Sequence, residues 1–220
     1  MRPRLALGFH NRPVTHWPVH LIYRLAGSLP YQTVKQLAIA RFNLLEQLTV
    51  QFPDHATPNH PQAMEYWIAK SEQLCSLQAK YDHQLDLVRQ GPTFLHDPRA
   101  QQIVLNSWQF IADQQNLELF AVCVMSNHVH VLLQHAQSEG QLELKPLLKN
   151  HKRFCARQLK SIGLVDTPRV WAPGVFDRDV RPGKFAVVLN YILNNPVKVG
   201  LLSPTNRLDW TGTFVAPNLL

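Results

Sequence analysis

A mixed fold of helices and antiparallel strands is predicted for this chain, and three observations carry the prediction. Residues 117–125 and 128–134 are apolar and β-branched and flank a short polar break at Ser126-Asn127, the pattern of a tight hairpin. Residues 17–25 form a third strand-like run, ended by Gly27 and Pro30. Between that run and the hairpin, and again after it, apolar residues recur at helical spacing.

Taken in order, Tyr31 to about Gln51 reads as a helix through Val34, Leu37, Ala38, Phe42, Leu45 and Leu48. Pro53, Pro58 and Pro61 mark a loop. A second helix runs from about Gln62 to Gln90, through Met64, Trp67, Ile68, Leu74, Leu77, Tyr81, Leu85 and Val88, and Gly91-Pro92 breaks it. A third spans about 97–115, with Asp97 as N-cap and Pro98 in the first turn. After the hairpin, Leu142 to about Ile162 reads as a helix whose start is fixed by Pro146. Its buried side is Leu147, Leu148, Phe154, Cys155 and Leu159, and Gly163 stops it. Residues 169–181 suggest one or two short strands, Pro182-Gly183 a turn, and Lys184 to Asn195 a last helix closed by Pro196.

The chain has 220 residues, 45% hydrophobic and 17% charged, enough for one well-buried core and against a disordered chain. The net charge of +7 is unevenly spread. Residues 25–144 carry six basic and eleven acidic residues; residues 145–200 carry eleven basic and three acidic ones. A basic C-terminal part favours a polyanionic partner such as nucleic acid. Cys75, Cys123 and Cys155 form no C-x-x-C pair, so neither a disulfide framework nor a thiolate zinc site is expected, and a reducing cytosol fits. The apolar run after Arg2 and Arg4, Leu5 to Leu7, is too short for a signal peptide, and no stretch reaches the length of a membrane span.

The residues that suggest chemistry are few. Alternate side chains of a strand share a face, so His128 and His130 project together, a pair able to hold one divalent cation. Tyr191 and Asn195, four apart, share one face of the last helix. Asn195 precedes a proline and so leans out of helical geometry, at the helix C-terminus. Two imidazoles and an amide oxygen make a neutral ligand set that leaves positions open for phosphate oxygens, which suits Mg²⁺ or Mn²⁺. A tyrosine hydroxyl, weak at neutral pH, becomes a useful nucleophile beside a metal-polarised phosphodiester. The helices of 31–115 carry the acidic balance and no evident chemistry, and they read as structural.

Met125-Ser-Asn-His-Val-His130, followed by Tyr191-Ile-Leu-Asn-Asn-Pro-Val-Lys-Val-Gly-Leu201, resembles the single-tyrosine His-hydrophobic-His transposases, above all the REP-associated tyrosine transposases of the IS200-like family. The 147–157 basic helix, Val170-Trp171, Phe176-Asp177 and Asp209-Trp210 add to the resemblance. It covers residues 117–213 and the strand at 17–25. It implies an α+β, ferredoxin-like antiparallel sheet with packed helices, here one catalytic domain carrying a helical insertion at about 31–115. It also implies that His128, His130 and Asn195 bind the metal and that Tyr191 is the nucleophile. Ser126 stands where the family usually has proline, and the 31–115 segment is longer than usual.

The function so implied is metal-dependent cleavage and transfer of single-stranded DNA through a 5′-phosphotyrosine, in a bacterial, nucleoid-associated monomer or homodimer. Lys149, Lys152, Arg153, Arg157, Arg178, Arg181 and Lys184 are candidates to hold the phosphate backbone of single-stranded or hairpin DNA. One alternative is a domesticated hairpin-binding protein without transposition. Another is a zinc hydrolase drawing a further ligand from His20 or His151, although no general-base Glu lies near the histidines.

Overall fold

The computed structural model describes residues 13–87, 90–206 and 208–219. The readings made of Arg2, Arg4, Leu5 to Leu7 and Val88 lie outside them. The elements are β1 (Pro13–Val14), β2 (Val19–Arg24), α1 (Tyr31–Gln51), α2 (Pro61–Leu87), α3 (Pro98–Gln114), β3 (Leu117–Val124), β4 (His128–His135), β5 (Leu142–Glu143), α4 (Leu144–Ser161), β6 (Phe176–Asp179), α5 (Phe185–Leu193), α6 (Asn195–Lys198) and β7 (Thr213–Val215).

Five strands form one sheet in the order β6-β2-β4-β3-β7, every neighbouring pair antiparallel. Without β7, this is the strand order of a ferredoxin-like β-α-β-β-α-β unit. β1 and β5 pair in a separate two-stranded ribbon. The crossover helices are α3 and α4. Asp97 caps α3 by accepting from the Arg99 amide at 2.8 Å, and Pro98 needs no donor there. Trp108, Val104 and Ala100 of α3 join Leu148, Cys155 and Leu159 of α4 against Leu21, Tyr23, Val129 and Val131.

Alternation on β4 sends His128, His130 and Leu132 to the opposite face. A bulge at Phe120 in β3 shifts the alternation there. It lets Leu117, Leu119, Val122 and Val124 all face α3 and α4, while Ala121 and Cys123 join the histidine face. That second face is covered twice. Val188, Ile192 and Leu193 of α5 pack on Phe120, Met125 and Leu132. Leu74, Leu77, Tyr81 and Leu85 of α2, with Leu37 of α1, pack on Ile22 and Phe176. The α1–α2 insertion is thus a helical hairpin laid over the sheet.

Residues 169–181 form one strand, β6, plus an isolated bridge between Leu25 and Trp171, within the one or two short strands expected. Two expectations need correction. Phe154 is 38% exposed and lies off the buried side of α4. Asn195 does not end the last helix: α5 stops at Leu193, and Asn195 opens α6 with Pro196 in its first turn. Proline cannot continue a helix but suits the first turn of the next.

Candidate metal centre and nucleophile

His128 and His130 bring their Nε2 atoms to 3.0 Å from each other. The third corner is Asp82, whose Oδ1 lies 3.1 Å from each Nε2. Asp82 sits on α2, inside the insertion whose helices read from sequence as structural, and it brings a carboxylate to the histidine pair. A signal did exist. Gln78 and Asp82 fall four apart on the same helical face as the core residues Leu74, Tyr81 and Leu85, where polar side chains need a reason to be.

The hydrogen-bond pattern fixes what these atoms present. Asn127 donates its amide nitrogen to the Leu85 carbonyl at 3.0 Å. Its oxygen therefore faces the His128 Nδ1 at 2.6 Å, and that nitrogen must carry the proton. The other ring nitrogen, His128 Nε2, faces the His130 Nε2 and the Asp82 carboxylate. His130 is oriented from behind by His20, whose Nε2 is 3.1 Å from the His130 Nδ1. Asp82, His128 and His130 are 0–1% exposed. Burial alone would raise the Asp82 carboxyl; the two imidazoles overcome this and hold it well below the usual carboxylate range. Burial lowers His130, and His20 further still.

These atoms fit a divalent cation. Ligands about 2.1 Å from one octahedral ion stand about 3.0 Å apart when adjacent, which is the edge of this triangle. Asn127 and His20 supply the outer orientation that metal-bound imidazoles need. Asn195 is fully buried and donates its amide nitrogen to the Tyr191 carbonyl at 3.1 Å. Its Oδ1 has no hydrogen-bond partner, a donor atom left over.

Tyr191 lies at the same centre. Its hydroxyl donates to Asp82 Oδ2, and its ring meets those of His20 and His130, each with centroids 6.1 Å away. Burial first, then the Asp82 charge, pushes the phenol far above its ordinary range. Lys198 reaches Asp82 at 3.4 Å and Asp86 at 2.6 Å, and stands 5.7 Å from the centroid of the Tyr191 ring.

The seven basic residues separate into two groups. Arg178, Arg181 and Lys184 line a cleft that Tyr191 also lines. Lys149, Arg153 and Arg157 are exposed on α4, on the opposite face of the sheet. Lys152 turns inward instead, donating to the Ala172 and Gly174 carbonyls at 3.2 and 2.6 Å. His151 is also on that far face, bonded to Tyr23 and Ser107, and takes no part in the histidine cluster.

No family model matches the chain, and no curated protein matches it. Among solved structures, a REP-associated tyrosine transposase bound to a REP hairpin aligns with 92% of this chain and 79% of its own, at 13% identity and a TM-score of 0.42. Among the described residues, no helix is long and apolar enough to cross a membrane.

Proposed function

We propose that the protein is a divalent-metal-dependent enzyme that cleaves and transfers single-stranded DNA, with Tyr191 as the nucleophile. One observation carries the reading. Two imidazole nitrogens and a carboxylate oxygen converge within 3.1 Å, buried, and the hydroxyl of Tyr191 is bonded to that same carboxylate. Asp82 Oδ1 has no hydrogen-bond partner there, and a cation between the three atoms would satisfy it. A bare carboxylate–histidine core serving packing alone has no use for a tyrosine at its rim.

His128, His130 and Asp82 would hold the ion, with the Asn195 amide oxygen as a further donor. Mg²⁺ or Mn²⁺ held there would polarise the phosphate oxygens. Asp82 Oδ2 orients the Tyr191 hydroxyl and is the acceptor at hand for its proton. The Tyr191 oxygen attacks phosphorus, the bond from phosphorus to the 3′ oxygen breaks, and that oxygen leaves as a hydroxyl after taking a proton from water. The 5′ phosphate stays on the tyrosine. A second 3′-hydroxyl reverses the step and exchanges strands.

A second reading is a DNA-hairpin-binding protein with an idle site. The observation in its favour is that the cluster is closed, with Asp82 filling the space between the histidines and the tyrosine. Incubation with single-stranded and stem-loop DNA plus Mg²⁺ or Mn²⁺ separates the two. A covalent protein–DNA adduct mapped to Tyr191 by mass spectrometry is expected. Hairpin binding with no adduct under any metal supports the idle site.

A further inference from the structure

Beside Tyr191, between α2 and α5, runs a cleft of about 260 Å³. Its walls include Cys75 and Gln78 from α2, and Arg178, Arg181, Lys184 and Tyr191 from the sheet side. Three of the basic groups along this line are met by side chains of α2. Arg181 pairs with Glu72 at 2.6 Å, Arg178 donates to the Gln78 carbonyl oxygen, and Lys198 pairs with Asp86 at 2.6 Å. Glu72 and Asp86 are fourteen residues apart, about 21 Å along a helix. Asp82 lies between them, on the histidines.

We propose that this cleft is the track of the single-stranded substrate, and that Glu72 and Asp86 hold its cations until backbone phosphates replace them. The inference rests on the proposed function and adds where the strand lies and what it displaces. Three features argue for a phosphodiester rather than for structural ion pairs. Arg178 is 6% exposed, and its partner on this wall is the neutral Gln78, with Asp179 a weaker electrostatic neighbour. Gln78 is 2% exposed and lies beside His20, and its amide nitrogen has no hydrogen-bond partner. Its Nε2 is left as a buried donor with no acceptor, which a phosphate oxygen would satisfy. The Arg181–Glu72 and Lys198–Asp86 pairs are partly open to solvent, so exchange needs only side-chain rotation at the margins. The Arg181–Glu72 pair, open to solvent on both sides, holds by less than about 1 kcal/mol, little against a phosphate with charge-assisted bonds. Asp82 stays in place as a ligand, and α2 need not leave the sheet.

Two measurements test this on the full chain. The first is the affinity of a labelled single-stranded deoxyoligonucleotide for Glu72→Gln/Asp86→Asn. The comparison is Asp113→Asn/Glu139→Gln, which changes net charge equally at exposed sites away from the cleft. Tighter binding by about five-fold over that control is expected, as two competing carboxylates are removed. The second uses Cys75, exposed in the cleft while Cys123 and Cys155 are buried. Bound oligonucleotide should slow maleimide labelling of Cys75 several-fold. If the protein binds and cuts the strand, yet Cys75 labels as fast as before and the two double variants bind alike, the track is elsewhere and the enzyme reading survives. If wild type and both double variants fail to bind single strands, the track and the reading fail together.

Discussion

At the scale of single residues, the centre depends on one side chain being charged and acceptor-only. Asp82→Asn is nearly isosteric, but its amide nitrogen can donate to an imidazole and fill the gap that a cation would fill. Cleavage should fall by at least about a hundredfold, the scale of a lost metal-site group, with folding retained. Tyr191→Phe should keep metal and DNA binding and abolish the adduct. An adduct persisting in that variant, on Tyr23 or Tyr31 for instance, would remove Tyr191 from the mechanism. A separate residue governs acid stability. His151 is fully buried, with its Nε2 2.6 Å from the Tyr23 hydroxyl and its Nδ1 2.9 Å from the Ser107 hydroxyl. Burial, with Lys152 nearby, pushes it down to about 3. The folded state therefore refuses a proton that the unfolded chain takes up below about pH 6.5. Stability should decline as pH falls from about 6.5 toward 3, by up to about 1.4 kcal/mol per pH unit from this group. His20 and His130 are shifted in the same direction and add to the slope. In denaturant titrations across that range, His151→Asn should be less stable at neutral pH but flatter. An unchanged slope would show that His151 is protonated in the fold.

At the scale of elements, α2 joins chemistry to architecture. A metal held by Asp82 from α2 and by two histidines from β4 ties the insertion to the sheet. Mn²⁺ or Mg²⁺ should therefore raise the melting temperature. At a hundred times its dissociation constant, the ion stabilises by about 2.7 kcal/mol. Calorimetry with and without chelator should show this in the wild type and lose most of it in His130→Ala. Equal melting in EDTA and Mn²⁺ would remove the ion from the site. The elements themselves were largely legible in the sequence. The 126–127 break, Asp97-Pro98 and Pro146 mark starts and turns that local chemistry dictates. What the sequence hid is long-range. The bulge at Phe120 has no local signature, and β7 is short and pairs only through β3. Asp82 reaches the histidines because α2 folds back over the sheet, which no periodicity within α2 states. Strand alternation and helical spacing, both local rules, put His128 with His130 and Tyr191 with Asn195 on shared faces, and the motif resemblance singled them out. Lys152 misled because a stripe of cations seen on a helical wheel does not reveal two carbonyls waiting at Ala172 and Gly174.

At the scale of the whole molecule, the sheet separates two basic surfaces. Arg178, Arg181 and Lys184 share a face with Tyr191, while Lys149, Arg153 and Arg157 stand on α4 behind the sheet. A single strand at the tyrosine cannot touch the α4 stripe directly. A longer substrate can reach it by passing around the edge of the sheet, as a stem joined to a single-stranded extension would. The two surfaces should then respond differently to mutation. Reversing Lys149, Arg153 and Arg157 to Glu leaves the tyrosine face intact. Lys152 is left alone because its ammonium is a structural donor. The triple variant should bind a stem-loop with a single-stranded extension more weakly. The slope of log affinity against log salt should shrink by roughly 0.9 for each phosphate that the stripe no longer neutralises. Adduct formation at saturating concentrations of a short single strand should stay at the wild-type rate, because that strand meets only the tyrosine face. Binding isotherms at two salt concentrations, run beside single-turnover adduct assays on the short strand, give both numbers from one preparation. If the triple variant loses the short-strand reaction as well, the α4 face contributes to chemistry and the separation is wrong. If stem-loop binding and its salt slope are untouched, the stripe is a solvated helix face and nucleic acid is held by the tyrosine side alone.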